Sequence, residues 1–152
     1  MDSNQKLVHS EEVKDEIMLV EFKLGKEFFG IPVTNVNEIL MPSPVISIPR
    51  SHAYMEGITD IRGEVLPVIH LATFLSITEE IQQEQDRFIV TEFNDKRVIF
   101  HVSGVEQIIS VKQIEQPTEL NNRIQYVTGI VRNKDRMILM LDFEGILNEM
   151  NR

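Results

Sequence analysis

The chain has 152 residues, 42% of them hydrophobic and 26% charged, which is enough apolar side chain for the core of one domain or two tightly packed subdomains. A formal charge of −9 and a pI near 4.9 argue against nucleic acid and anionic lipid as partners and favour soluble proteins with basic patches. With no cysteine there is no disulfide, thiolate nucleophile or Cys-based metal site, and without a signal peptide or a spanning apolar run the chain is expected to be cytoplasmic.

Residues 1–15 are polar and charged and read as a flexible leader. Ile17–Leu24, the turn Gly25-Lys26 and Phe28–Ile31 predict a first β-hairpin. Val33, Val36 and Ile39, three residues apart, predict a short helix or helical turn, which Pro42 and Pro44 end. Val45–Ile48 reads as a short strand. Met55–Ile61 and Val65–Leu71 form a second hairpin around Arg62-Gly63-Glu64, with Pro67 marking an edge or a bulge. Ser76–Asp86 is acidic and Gln-rich, as a solvated linker is. Phe88–Phe93 with Val98–Val102, and Gly129–Val131 with Met137–Leu141, give a third and a fourth hairpin. A closing helix follows to Met150, with Asp142 as its N-cap.

The second half echoes the first. Val33, Val36 and Ile39 return 69 residues later as Val102, Val105 and Ile108. Gly57-Ile58 and Leu71 return 72 residues later as Gly129-Ile130 and Phe143, and Glu21-Phe22 is matched to Glu92-Phe93. A unit near 70 residues is too long for a solenoid repeat and suits one small five-stranded barrel. The expected fold is therefore all-β with short helices: two five-stranded barrels in tandem, interleaved subdomains at roughly 16–80 and 86–150, making one domain over 16–150.

No reaction centre is visible. His9, His52, His70 and His101 are scattered, without an HExxH or HxH pair, so no metal or cofactor is expected. GxSxG, P-loop and GxGxxG are missing. Asp60 and Asp142 do not occupy equivalent repeat positions, as an aspartic protease would require. Glu79, Glu80, Glu84 and Asp86 lack calcium-loop spacing.

Phe28-Phe-Gly-Ile-Pro-Val33 followed by Val36-Asn-Glu-Ile39 resembles the early signature of the bacterial chemotaxis coupling protein family CheW. Gly57-Ile-Thr-Asp-Ile-Arg-Gly-Glu-Val-Leu-Pro-Val-Ile69 resembles that family's most recognisable hairpin, with Asp60 where Asn is usual. Ile89–Asn94, Val98–Val102 and Ile114–Asn121 are closer still to the CheW-like N-terminal half of CheV, a relative that carries a phosphorylatable receiver domain. Two readings stay open: a stand-alone coupling protein with CheV-like sequence, or the coupling domain of a longer protein that phosphorylation tunes.

The resemblance implies two five-stranded SH3-like barrels and a non-enzymatic adaptor. Its partners would be the cytoplasmic tips of chemoreceptors (methyl-accepting chemotaxis proteins) and the regulatory domain of the histidine kinase CheA, in arrays beneath the inner membrane. Receptor binding would fall to Val33, Val36, Glu38, Ile39, Arg62, Val102, Val105 and Ile108, an apolar groove with polar anchors, the two apolar stripes reading equally well as plain core. Val45, Ile46 and Ile48 are the expected kinase contact. The competing classes are a small-molecule-binding double barrel and a latent hydrolase.

Overall fold

The structure, a computed structural model, describes residues 10–79, 84–118 and 124–151, with side chains from Glu16 onward. The first hairpin is β1 (Ser10–Leu24) and β2 (Glu27–Pro32), turning at Gly25. A 3-10 turn, Val33–Asn35, leads into β3 (Val36–Leu40). The second hairpin is β4 (Met55–Ile61) and β5 (Glu64–His70), followed by the single-turn helix α1 (Leu71–Phe74). Strands β6 (Arg87–Phe93) and β7 (Lys96–Val102) form the third hairpin and run on into β8 (Gly104–Glu115). The fourth hairpin, β9 (Val127–Asn133) and β10 (Arg136–Leu141), precedes α2 (Phe143–Met150). All four predicted hairpins are present, and so is the closing helix, whose Asp142 side chain accepts from the Gly145 N–H at 3.0 Å.

Two predictions fail in instructive ways. Residues 10–15, read as leader, extend β1 along β8, where Ser10 faces Glu115 and Glu12 faces Gln113. A ladder built from backbone groups does not need apolar side chains. Residues 1–9 and 80–83, the rest of the leader and the middle of the linker, lie outside the described residues. The second failure is the helix over Val33–Ile39, where only the 3-10 turn is helical. Val36 pairs with Thr91 and Ile39 with Ile89, and the register skips one residue between Val36 and Glu38. That bulge puts residues three apart on one face of a strand. The same device recurs in β8: Val105 faces Phe22, Ile108 faces Val20, and the register slips between Glu21 and Phe22. A three-residue apolar period here signals a duplicated β-bulge.

The strands form a closed barrel, β1-β2-β10-β9-β8, and a five-stranded sheet, β3-β6-β7-β5-β4. Both sheets therefore take strands from both stretches, 16–80 and 86–150. Each half donates its first hairpin to the sheet built by the other half. The exchange is made by two parallel pairings: β10 with β2, and β5 with β7. Hairpin strands pair antiparallel, so a parallel neighbour must come from elsewhere in the chain.

The repeat survives this exchange and becomes sharper. Met140 faces Gly30 across one parallel junction, and Val68 faces Ile99 across the other, which keeps both sequence offsets, 69 and 72. Glu115 pairs with Ile130 to close the barrel, and at the same two offsets Ile46 forms an isolated bridge with Ile58. In the hairpins, Leu24 faces Glu27 and Phe93 faces Lys96, so the structural offset there is 69. The match of Glu21-Phe22 to Glu92-Phe93 was two residues out of register; Glu21 corresponds to Val90.

Strand alternation divides the apolar residues among three cores. Leu19, Ile109, Val111, Val131 and Ile138 fill the closed barrel. Leu66, Val68, Phe88, Val90 and Ile99 pack on the inner face of the other sheet. The largest core lies between the two, with Phe22, Phe29, Ile89, Phe100 and Phe143 among its members. Phe143 of α2 stacks on Phe93 with ring centroids 5.2 Å apart, so the closing helix seals this shared core. Pro67 faces Ile58 of β4, while the parallel ladder to β7 begins only at Val68. The proline thus stands where one side of its strand has no ladder partner to lose.

Candidate docking surfaces

The tip of the β4–β5 hairpin is a two-residue turn with both central residues at positive φ, Arg62 at 51° and Gly63 at 91°. Asp60 sets the turn, its Oδ1 accepting from the Gly63 N–H at 2.7 Å. An Asn carbonyl oxygen makes the same bond, so the aspartate keeps this part of the family pattern. Arg62 pairs with Glu38 of β3, yet its side chain stays 68% exposed. Beside it Arg97 pairs with Glu64 and donates from Nε to Asn37 Oδ1 at 3.1 Å. Two predicted residues, Glu38 and Arg62, are thus in contact, and the hairpin tip is a hydrogen-bonded, charged turn. Exposed pairs of this kind contribute about 0–1 kcal/mol to stability, so their removal should leave the fold standing.

The valine stripes divide by depth. Val102 is fully buried in the shared core and cannot touch a partner, which corrects its place in the predicted groove. Val33, Val36 and Val105 are partly buried and pack against the same core. Ile39 and Ile108 remain exposed, Ile108 at 58%, on strand faces that elsewhere turn toward that core. Val45–Ile48 is not a strand: only Ile46 bridges, to Ile58. Pro42 and Pro44 interrupt the continuation that β8 makes without a break in the other half. Val45 turns inward against its sheet, whereas Ile46 is 70% exposed and Ile48 also faces solvent.

Sequence reading missed two polar clusters. Glu21 is fully buried on the barrel side of β1, where its structural counterpart in the other sheet is Val90. Arg136 Nη1 donates to Glu21 Oε2 at 2.6 Å, Gln107 donates to Oε1 at 3.0 Å, and Arg136 also lies over the Phe28 ring at 4.0 Å. The buried carboxylate is satisfied on both oxygens, as its burial requires. The second cluster joins His70 and His101, which face each other across the parallel β5–β7 ladder. His101 Nδ1 meets Glu56, and Nε2–H donates to Asp86 Oδ2 at 2.7 Å. Burial by itself lowers the His101 pKa, but Glu56 and Asp86 outweigh it and hold the ring above the usual histidine value. No sequence signal predicted this, because the two histidines become neighbours only through the exchange of hairpins.

A depression of about 490 Å³ lies between α2 and β5, walled by Tyr54, Met55, Pro67, Ile69, Leu147 and Met150. The small-molecule reading would be sought there or in a larger depression of about 1270 Å³ walled by Lys23, Lys26, Glu79, Arg87, Ser103 and Leu139. Among the described residues no helix is long and apolar enough to cross a membrane.

Residues 18–151 match the family model of the CheW-like domain. The chain is 28% identical to the chemotaxis protein CheW of Helicobacter pylori, over 91% of this chain and 86% of that one. It is 33% identical to the probable chemotaxis protein CheW of Rhizobium etli, covering 86% and 87%. With chemotaxis protein CheV3 of Helicobacter pylori it shares 31% identity over 89% of this chain but 48% of that protein. Among solved structures it resembles the scaffolding protein TtCheW of Thermoanaerobacter tengcongensis, with a TM-score of 0.78 and 26% identity over 84% and 90% of the two chains.

Proposed function

The chain belongs to the CheW-like family of non-catalytic chemotaxis scaffolds, and from that membership we propose that it couples chemoreceptor cytoplasmic tips to the histidine kinase CheA. It would act in the cytoplasm, at receptor arrays beneath the inner membrane. The observation that carries this reading is the Arg62–Glu38 tip, a charged, conformationally fixed hairpin end that contributes little to the fold. Its guanidinium has donors to spare for helix carbonyls or carboxylates. Ile39 and Ile108 offer exposed apolar surface for a receptor helix, while Val33, Val36 and Val105 underlie it. For CheA, the exposed Ile46 and Ile48 beside the inward Val45 form a separate apolar contact.

Arg62→Glu tests the receptor role. The variant is expected to keep its circular dichroism and melting temperature, yet to lose about tenfold or more in receptor coupling, as loss of one interface anchor does. Kinase activation equal to wild type in a reconstituted receptor assay would rule the role out. The match to CheV3, of which this chain spans about half, favours a second reading in which the coupling domain is tuned by an attached receiver.

A further inference from the structure

We propose that Glu56, His70 and His101 form a binding site for a divalent transition-metal ion of the zinc class, with Asp86 and Thr73 orienting the two imidazoles. The three ligands stand on hydrogen-bonded strands of one sheet. His70 and His101 are in register on adjacent parallel strands, and the β4–β5 register skips Glu56, so a bulge aims that carboxylate across the sheet. One ligand atom from each of the three residues lies within 4.8 Å of the others. The two imidazole centroids are 5.1 Å apart. A tetrahedral ion with Zn–N bonds of about 2.0–2.1 Å places two imidazole centroids about 5 Å apart, so the rings already stand at the required separation.

The hydrogen bonds divide each ring into an anchored and a facing nitrogen. His101 Nε2 is anchored on Asp86 Oδ2 at 2.7 Å, and Nδ1 faces Glu56. His70 Nδ1 is 2.8 Å from the Thr73 hydroxyl, and Nε2 faces Glu79 Oε1 at 2.7 Å. The Thr73 hydroxyl serves either tautomer; as an acceptor it leaves Nε2 with the lone pair a metal needs. The competing contact, from the Thr73 N–H to Nδ1, is long at 3.3 Å and is the one such an ion would displace. A histidine held from behind by a carboxylate or hydroxyl, with its other nitrogen among carboxylates, is the arrangement metal sites use. Glu79, which also accepts from the Ser103 hydroxyl, stands beside His70 and adds negative charge next to the three ligands. His101 is only 5% exposed, while the Glu56 and His70 side chains are 28% and 24% exposed, so the ion would sit at the edge of the core with one side open to solvent.

Such an ion would tie β4, β5 and β7 together, with Asp86, beside the linker region between the halves, held behind His101. The test is zinc titration of the EDTA-stripped full chain by calorimetry, with magnesium as control and cobalt absorption as a geometric readout. One zinc per chain is expected, with the intense visible bands of tetrahedral cobalt. Glu56→Gln preserves the acceptor for His101, and His70→Asn preserves a good N-cap for α1. Each should weaken zinc binding at least about tenfold and abolish the cobalt bands, and Thr73→Val should weaken it about 10–100-fold. Circular dichroism shows that each variant is folded. Absence of saturable zinc uptake by the wild type would overturn the proposal. So would octahedral cobalt, or folded variants that bind as the wild type does.

Discussion

Gly57 sits at φ 146°, and a methyl group there would collide with the carbonyl oxygen of Ile46. That carbonyl accepts from Ile58 at 2.9 Å in the bridge that repeats the barrel closure. Gly129 holds the equivalent place in the barrel, where the nearest atom to an added methyl belongs to the Ile114 side chain. The two glycines that marked the repeat in sequence therefore have one physical cause: a chain segment crosses close over each. Gly57→Ala is expected to cost about 3 kcal/mol or more, combining φ strain with displacement of backbone. Gly129→Ala should cost less, because a side chain yields more readily than a carbonyl. Urea denaturation of the two variants measures the difference.

At the scale of elements, α2 shows how a short helix is held. Eight residues are too few to be stable alone in water, so capping and packing must supply the stability. Asp142 caps it, and Phe143 and Ile146 are buried. The repeat places His70 at the same position before α1, where its ring nitrogen does the capping. Asp142→Ala is expected to lower stability by about 1 kcal/mol, seen as a lower melting temperature, with Asp142→Asn close to wild type. Segment Met41–Ile48 shows the reverse case. Prolines keep it from completing a strand, and its apolar residues divide between the sheet's core and solvent. This is how the proposed kinase contact comes to be exposed.

The whole molecule is an exchange of hairpins between two similar halves. Both sheets contain strands from both halves, and the core between the sheets draws on both. Fragments cut in the linker, 1–82 and 83–152, are therefore each expected to lack cooperative thermal unfolding, and to recover it when mixed. Cooperative unfolding of either fragment alone would show that the exchange is not needed for stability. The same exchange creates the His70–His101 neighbourhood, since its parallel β5–β7 junction joins strands from different halves.

Local chemistry was enough to read the hairpins, their turns, the capped helix and the duplication, because alternation, positive-φ turn residues and N-caps act over a few residues. The Arg62 tip was legible for the same reason. Which strands pair in parallel was not, because that choice rests on burying two apolar faces against each other over long sequence separations. Depth was equally hidden. Val102 and Ile108 carry similar side chains at the same spacing, yet one lies in the core and the other in solvent. Only the assembled sheets decided that, by covering one position and leaving the other at an open face.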